Sequence, residues 1–180
     1  MKRILLLSVL VVFIASMSFG QMAYKKGDQV INLGIGLGGF AGVYGSGGIA
    51  ITGGYEYGVN ENISLGGVVG YSSSSEDFGG NYGWKYTYIL IGARGAYHLD
   101  LFHNPNIDTY GGILLGYNIV SSKATGTYIN YGYGNYSASA SFLEFGAFIG
   151  GRYYFSPKLA VQAELGYGLG ILNVGIAYKL

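Results

Sequence analysis

From residue 29 to its last residue the chain repeats one pattern, and that pattern restricts it to β-sheet. Apolar or aromatic residues alternate with glycine, small or polar ones. Ile31, Leu33, Ile35 and Leu37 interleave with Asn32, Gly34, Gly36 and Gly38. Leu143, Phe145, Ala147, Ile149, Tyr153 and Phe155 interleave with Glu144, Gly146, Phe148, Gly150, Arg152 and Tyr154. Side chains of successive strand residues point to opposite faces, so a period of two sorts each run into two surfaces. Eight such runs follow one another, near residues 31–38, 49–58, 63–72, 87–98, 108–119, 143–155, 160–169 and 172–180. Leu114 is the one large aliphatic residue that breaks the rule in its run. Most runs reach about nine residues or more, beyond the roughly 5–6 of a soluble strand and matching the 9–11 tilted residues that cross a bilayer.

The sparse charges fall on one side of this sorting. Only 11% of the residues are charged, against about a quarter in an average soluble domain. Glu56, Arg94, Asp108, Glu144, Arg152, Gln162, Glu164 and Lys179 share the glycine-rich face, and the opposite face is almost free of charge. A soluble sandwich would bury the apolar face and wet the polar one. A membrane barrel does the reverse, with the apolar face toward lipid and the polar face in the lumen.

Three features favour the barrel. The links alternate between short ones, near 59–61, 100–106 and 157–158, and long ones rich in Ser, Gly, Tyr and Asn, near 72–82 and 121–137. That asymmetry is the short-turn and long-loop pattern of outer-membrane barrels. The links near 43–46 and 168–170 are short and follow it less well. Aromatic residues of the apolar face gather at run ends, Tyr55, Tyr57, Tyr97, Tyr153, Phe155 and Tyr178 at one level and Tyr71, Tyr117 and Tyr167 at the other. Such rings form girdles at the two interfaces. An even number of strands can also close without leaving an edge, which lipid requires.

The first residues have a different character. Met1-Lys2-Arg3 is basic, Ile4 to Ser16 is nearly all apolar, and Ser18-Phe19-Gly20 places small residues ahead of Gln21. This is the layout of a secretory signal peptide, with cleavage expected after Gly20. The apolar run of about 13 residues is shorter than the roughly 20 of a spanning helix. The reading is therefore a signal peptide over 1–20, a short segment over 21–28 and one barrel domain over 29–180. A net charge of +1 gives no reason to expect nucleic acid as a partner. With no cysteine there is no disulfide, thiolate zinc site or cysteine nucleophile.

The stretches GARGAYHLD, YGGILLGYN, GGRYYFSPKLAVQAELGYGLG and the ending NVGIAYKL resemble the small outer-membrane β-barrel family, the OmpA/OmpX-like eight-stranded group. The likeness runs over residues 29–180. It implies an all-β fold, an eight-stranded antiparallel up-and-down transmembrane barrel, inserted by the barrel-assembly machinery into a Gram-negative outer membrane. It also implies that Gly175, Tyr178 and Leu180 form the C-terminal assembly signal, although a final Leu replaces the commoner aromatic residue.

A barrel of eight strands is just wide enough to be filled by side chains, so its lumen charges are expected to neutralise one another. Arg152 and Glu164 lie at similar distances from the 157–158 turn and are expected to face each other across that hairpin, with Arg94 at comparable depth. Glu56, His98, Asp108 and Lys179 are expected lower. No cofactor or metal is expected. GIGLGG, from Gly34 to Gly39, spells a dinucleotide fingerprint, but the alternation runs through it where the motif needs a strand followed by a helix. His98 and His103 are too few for zinc. They map to the end opposite Ser72–Ser75, so no histidine is expected near that serine cluster. The segment from Thr125 to Ser139 carries Tyr128, Tyr131, Tyr133 and Tyr136 among Gly, Asn and Ser, the composition of adaptable contact loops. These readings point to a monomeric, non-enzymatic barrel in contact with outer-membrane lipid and lipopolysaccharide, its role structural or adhesive through the external loops. The alternatives are a narrow solute pore and a lipid-modifying enzyme.

Overall fold

The computed structural model describes residues 23–38, 49–77, 82–126 and 137–180. The expected signal peptide, Gly39 and the four tyrosines Tyr128, Tyr131, Tyr133 and Tyr136 lie outside them. Eight strands form, β1 (Gln29–Leu37), β2 (Ala50–Gly58), β3 (Ile63–Asp77), β4 (Tyr82–Leu99), β5 (Ile107–Gly126), β6 (Ser137–Tyr154), β7 (Leu159–Tyr167) and β8 (Leu172–Lys179). Each pairs antiparallel with its neighbours in sequence, and β8 returns to β1, closing an up-and-down barrel. Ile31 lies opposite Tyr178 at that seam and Gly34 opposite Gly175. Closure gives every strand a partner on both sides through the body of the barrel, while Ser73–Asp77 of β3 and Ser137–Gly146 of β6 run beyond β2 and β7 and, among the described residues, pair on one side only.

One end of the barrel carries short turns built from side-chain acceptors. Asn60 Oδ1 accepts from the amides of Asn62 and Ile63, and Asn104 Oδ1 accepts from that of Asn106. Ser156 Oγ accepts from the amides of Lys158 and Leu159. These local bonds replace ladder bonds where the chain reverses. At the other end, β3 to β6 run on for 15, 18, 20 and 18 residues. Much of what reads as long loop near 72–82 and 121–137 is therefore strand. Pairing persists to Asp77 opposite Gly83 and Lys123 opposite Ser137. Ser, Thr and Tyr keep the period of two in these stretches and suit a pleated surface, so polar composition does not end the ladder.

The apolar parity faces outward along the described strands. Phe145 is 72% exposed, Ile113 71% and Ile149 65%, whereas Arg152 on the other parity is 1% exposed. The lumen is layered. Toward the loop end Ala50, Val68, Leu90, Leu114 and Leu169 pack together, with Tyr88 and Phe148 against them. Leu114, the exception to alternation, fills this layer: it turns inward because its position on β5 points there. At the turn end Ala23, Val30, Tyr154, Ala160 and Ala177 form a second apolar layer. Charged side chains lie between them. Along the inner face of β4, Leu90, Arg94 and His98 follow at every second inward position, with Gly92 and Ala96 between them.

Glycine sets how tightly the wall curves. A Cβ on Gly66 would collide with the carbonyl oxygen of Tyr55, and one on Gly175 with that of Leu33. In the short β7–β8 turn, Gly168 and Gly170 adopt φ of 124° and 113°. This left-handed geometry, open to glycine, drops Leu169 into the upper layer.

Candidate functional site: the charged lumen

The inward side chains of six strands meet in one network. Arg152, on β6, donates from Nη2 to Glu56 Oε1 at 2.6 Å, from Nη1 to Asp108 Oδ2 at 3.4 Å and from Nε to Gln162 Oε1 at 3.4 Å. Arg94, on β4, donates from Nη2 to Glu164 Oε1 at 2.7 Å and lies 3.5 Å from Glu56 Oε1 through Nε. Asn32 Nδ2 donates to the same Glu56 oxygen at 3.1 Å, and the Tyr110 hydroxyl donates to Glu164 at 2.8 Å. Both guanidiniums also rest on rings, Arg94 4.1 Å above Phe148 and Arg152 4.6 Å above Tyr110. Glu56 thus bridges the two arginines at one depth and does not lie beneath them.

The expected pairing of Arg152 with Glu164 does not form. In the β6–β7 ladder Arg152 lies opposite Gln162, while Glu164 lies opposite Gly150. Sequence distance from the turn gave the strand neighbourhood but not the partner, because an inward side chain also reaches across the lumen. Glu56 is the carboxylate that Arg152 meets there.

Histidine and serine do meet, through a serine that the sequence did not mark. His98 Nε2 is 2.9 Å from Ser64 Oγ, and His98 Nδ1 is 2.7 Å from Asp108 Oδ1. Ser64 on β3 and His98 on β4 are near neighbours in the paired ladder. A run of alternating residues offers many serines to that ladder, so no local signal singles out Ser64. The three groups sit in the order of a catalytic triad, yet Ser64 is 1% and His98 0% exposed. Ser64 Oγ also turns toward Glu56 Oε2 at 3.5 Å, so the hydroxyl is shared between a carboxylate and the imidazole. His103 lies in the β4–β5 turn with φ of 50°.

Residues 23–28 close the turn end. The Tyr24 ring stacks on His98 with centroids 3.6 Å apart and planes 3° from parallel, and its hydroxyl donates to the Ile63 carbonyl at 2.8 Å. Burial, helped by the carboxylates of Asp108, Glu56 and Asp28, pushes the Tyr24 phenol up from its ordinary value. Lys179 Nζ, at the rim, donates to Asp28 Oδ2 at 2.7 Å and to the Ala23 carbonyl at 2.6 Å. Lys179 therefore ties down this segment and is not part of the central network. Of the C-terminal residues, Gly175 and Tyr178 pair with β1, and the Leu180 amide donates to the Gln29 carbonyl.

Glu144 stands apart in the outer half. It takes one hydrogen bond, from Asn118 Nδ2 to Oε2 at 3.0 Å. Among the described residues no group of three or more His, Cys, Asp or Glu is placed to hold a metal ion.

A closed barrel of eight long strands, apolar outside and charged within, is the architecture of a small transmembrane β-barrel. Solved structures of that class share the fold. OprG of Pseudomonas aeruginosa aligns with a TM-score of 0.58 at 11% identity, over 90% of this chain and 99% of that one. Ail, the attachment invasion locus protein of Yersinia pestis, aligns at 0.54 and 17% identity, over 86% and 99%. The N-terminal β-barrel domain of Pseudomonas aeruginosa OprF aligns at 0.52 and 14% identity, over 87% and 98%. No protein-family model matches the chain, and no curated protein matches it.

Proposed function

We propose that the protein is an integral β-barrel of a bacterial outer membrane, closed by its own side chains, whose role is structural or adhesive and is exerted through its external loops. The observation that carries this reading is the filled lumen. Arg94, Arg152, Glu56 and Glu164 span the interior with Arg152 and Glu56 each 1% exposed, and apolar layers seal the network above and below. A permeation path would have to break these ion pairs. The outward belt is the surface that hydrocarbon accepts and water does not. Residues 127–136 have the Tyr-, Gly- and Asn-rich composition of adaptable contact loops.

This reading makes the chain a monomer in contact with outer-membrane lipid and lipopolysaccharide, delivered by the barrel-assembly machinery, with no enzymatic activity. Planar bilayers test it. The purified barrel is expected to give no steady conductance, and channels of reproducible size would replace the closed barrel by a narrow pore. Deleting residues 127–136 is expected to leave the heat-modifiable gel shift intact while removing binding to host or cell surfaces. Unchanged adhesion in that deletion would remove the role given to the loop.

A further inference from the structure

The central network uses every arginine of the barrel. Glu56, Asp108 and Glu164 surround Arg94 and Arg152, and Glu144 is left outside this set. It is 4% exposed and Asn118 is 0% exposed. Glu144 Oε1 and Asn118 Oδ1 are both buried with no hydrogen-bond partner among the described residues, although the two side chains are joined through their other polar atoms. The remaining cations are elsewhere. Lys85 and Lys123 oppose each other, exposed, on the loop-side extension of β4 and β5. Lys158 lies over Tyr178 and Lys179 is held by Asp28. Lys25 and Lys26 are exposed at the turn end. Residues 39–48, 78–81 and 127–136 contain no Lys, Arg or His, and Lys2 and Arg3 fall in the expected signal peptide.

An ionisable group at this depth marks a functional site unless it is paired. Leu143 and Phe145, flanking Glu144, are 64% and 72% exposed on the outer surface, so the carboxylate lies at the level of the apolar belt. Leu90 and Leu114 line the wall beside it, around Gly116, the residue opposite Glu144 on β5. We infer that Glu144 and Asn118 form a site for one small monovalent metal cation in the outer half of the lumen. Such an ion satisfies both orphan oxygens at once. Its single charge balances the single carboxylate, whereas a divalent ion would leave a net charge buried among leucines. Oxygen-only ligands suit a hard cation. On the side of the β7–β8 turn, a Cβ on Gly168 would sit 3.7 Å from Glu144 Oε1.

Thermal unfolding of the refolded full barrel tests the site, with sodium chloride compared with N-methylglucamine chloride at equal ionic strength. The expected result is a saturable rise of about 2–4 °C in sodium, absent in Glu144→Gln and reduced in Asn118→Ala. Equal melting of the wild type in both salts would overturn the proposal, and this comparison stands even if neither variant folds. A response to calcium without one to sodium would overturn the choice of a monovalent ion. A carboxylic-acid C=O infrared band lost in Glu144→Gln would overturn it as well, since a proton would then occupy the site.

Discussion

Arg152 is the residue on which most of the interior converges. It touches β2, β5 and β7 from β6, and all three of its nitrogens are engaged. Reversing it to Glu would place a fourth carboxylate among Glu56, Asp108 and Glu164. Breaking a buried pair typically costs about 3–5 kcal/mol, so Arg152→Glu is expected to lose the heat-modifiable gel shift or melt far below wild type. Wild-type melting would show that the network is dispensable. Gln162→Leu removes one long contact and spares the carboxylates, so its cost is expected to be about 1 kcal/mol. Tyr24 adds a pH dependence. Its phenol holds its proton more tightly folded than unfolded, so above about pH 10 the unfolded segment loses the proton first and docking of residues 23–28 weakens. Proteolysis of that segment is expected to rise with alkaline pH in the wild type, and Tyr24→Phe is expected to remove the dependence.

At the scale of elements, the seam between β1 and β8 decides whether the sheet is a barrel. Eight register pairs join the two strands, and Gly175 sits where its neighbour's backbone comes closest. Gly175→Val forces a Cβ against the Leu33 carbonyl and is expected to block closure, read as loss of the folded gel band. The same change at Gly53, where a Cβ meets the Leu33 and Val69 side chains at 3.5 and 3.7 Å and the Asn32 carbonyl no nearer than 3.9 Å, is expected to be tolerated. If both variants closed equally well, crowding at the seam would not be what fixes the glycine. Strand number and parity were legible from alternation alone. Strand length was not, because Ser73–Asp77 and Ser137–Ser141 look like loop by composition and become strand only because a neighbour is there to pair with.

The whole molecule is an inside-out protein: its outward surface is apolar and its interior holds the charges. Lipid-phase labelling is expected to mark the Phe145 and Ile149 side of the wall and to spare Glu144 and Arg152. Labelling of the charged side would reverse the topology and end the membrane reading. The closed ends belong to this scale too. Tyr24 caps one mouth and Leu169 packs into the other, and neither position announces itself, because a tyrosine ahead of two lysines and a leucine between glycines have no periodic partner.

Alternation, a local property, determined by itself the number of strands, the face each residue presents and the inward set of charges. It did so because side-chain direction in a strand depends only on parity. Which charge meets which was decided by the tertiary structure. Arg152 found Glu56 rather than Glu164, His98 found Ser64, and Glu144 was left outside the arginine network, because contacts across a lumen depend on the stagger and curvature of all eight strands at once.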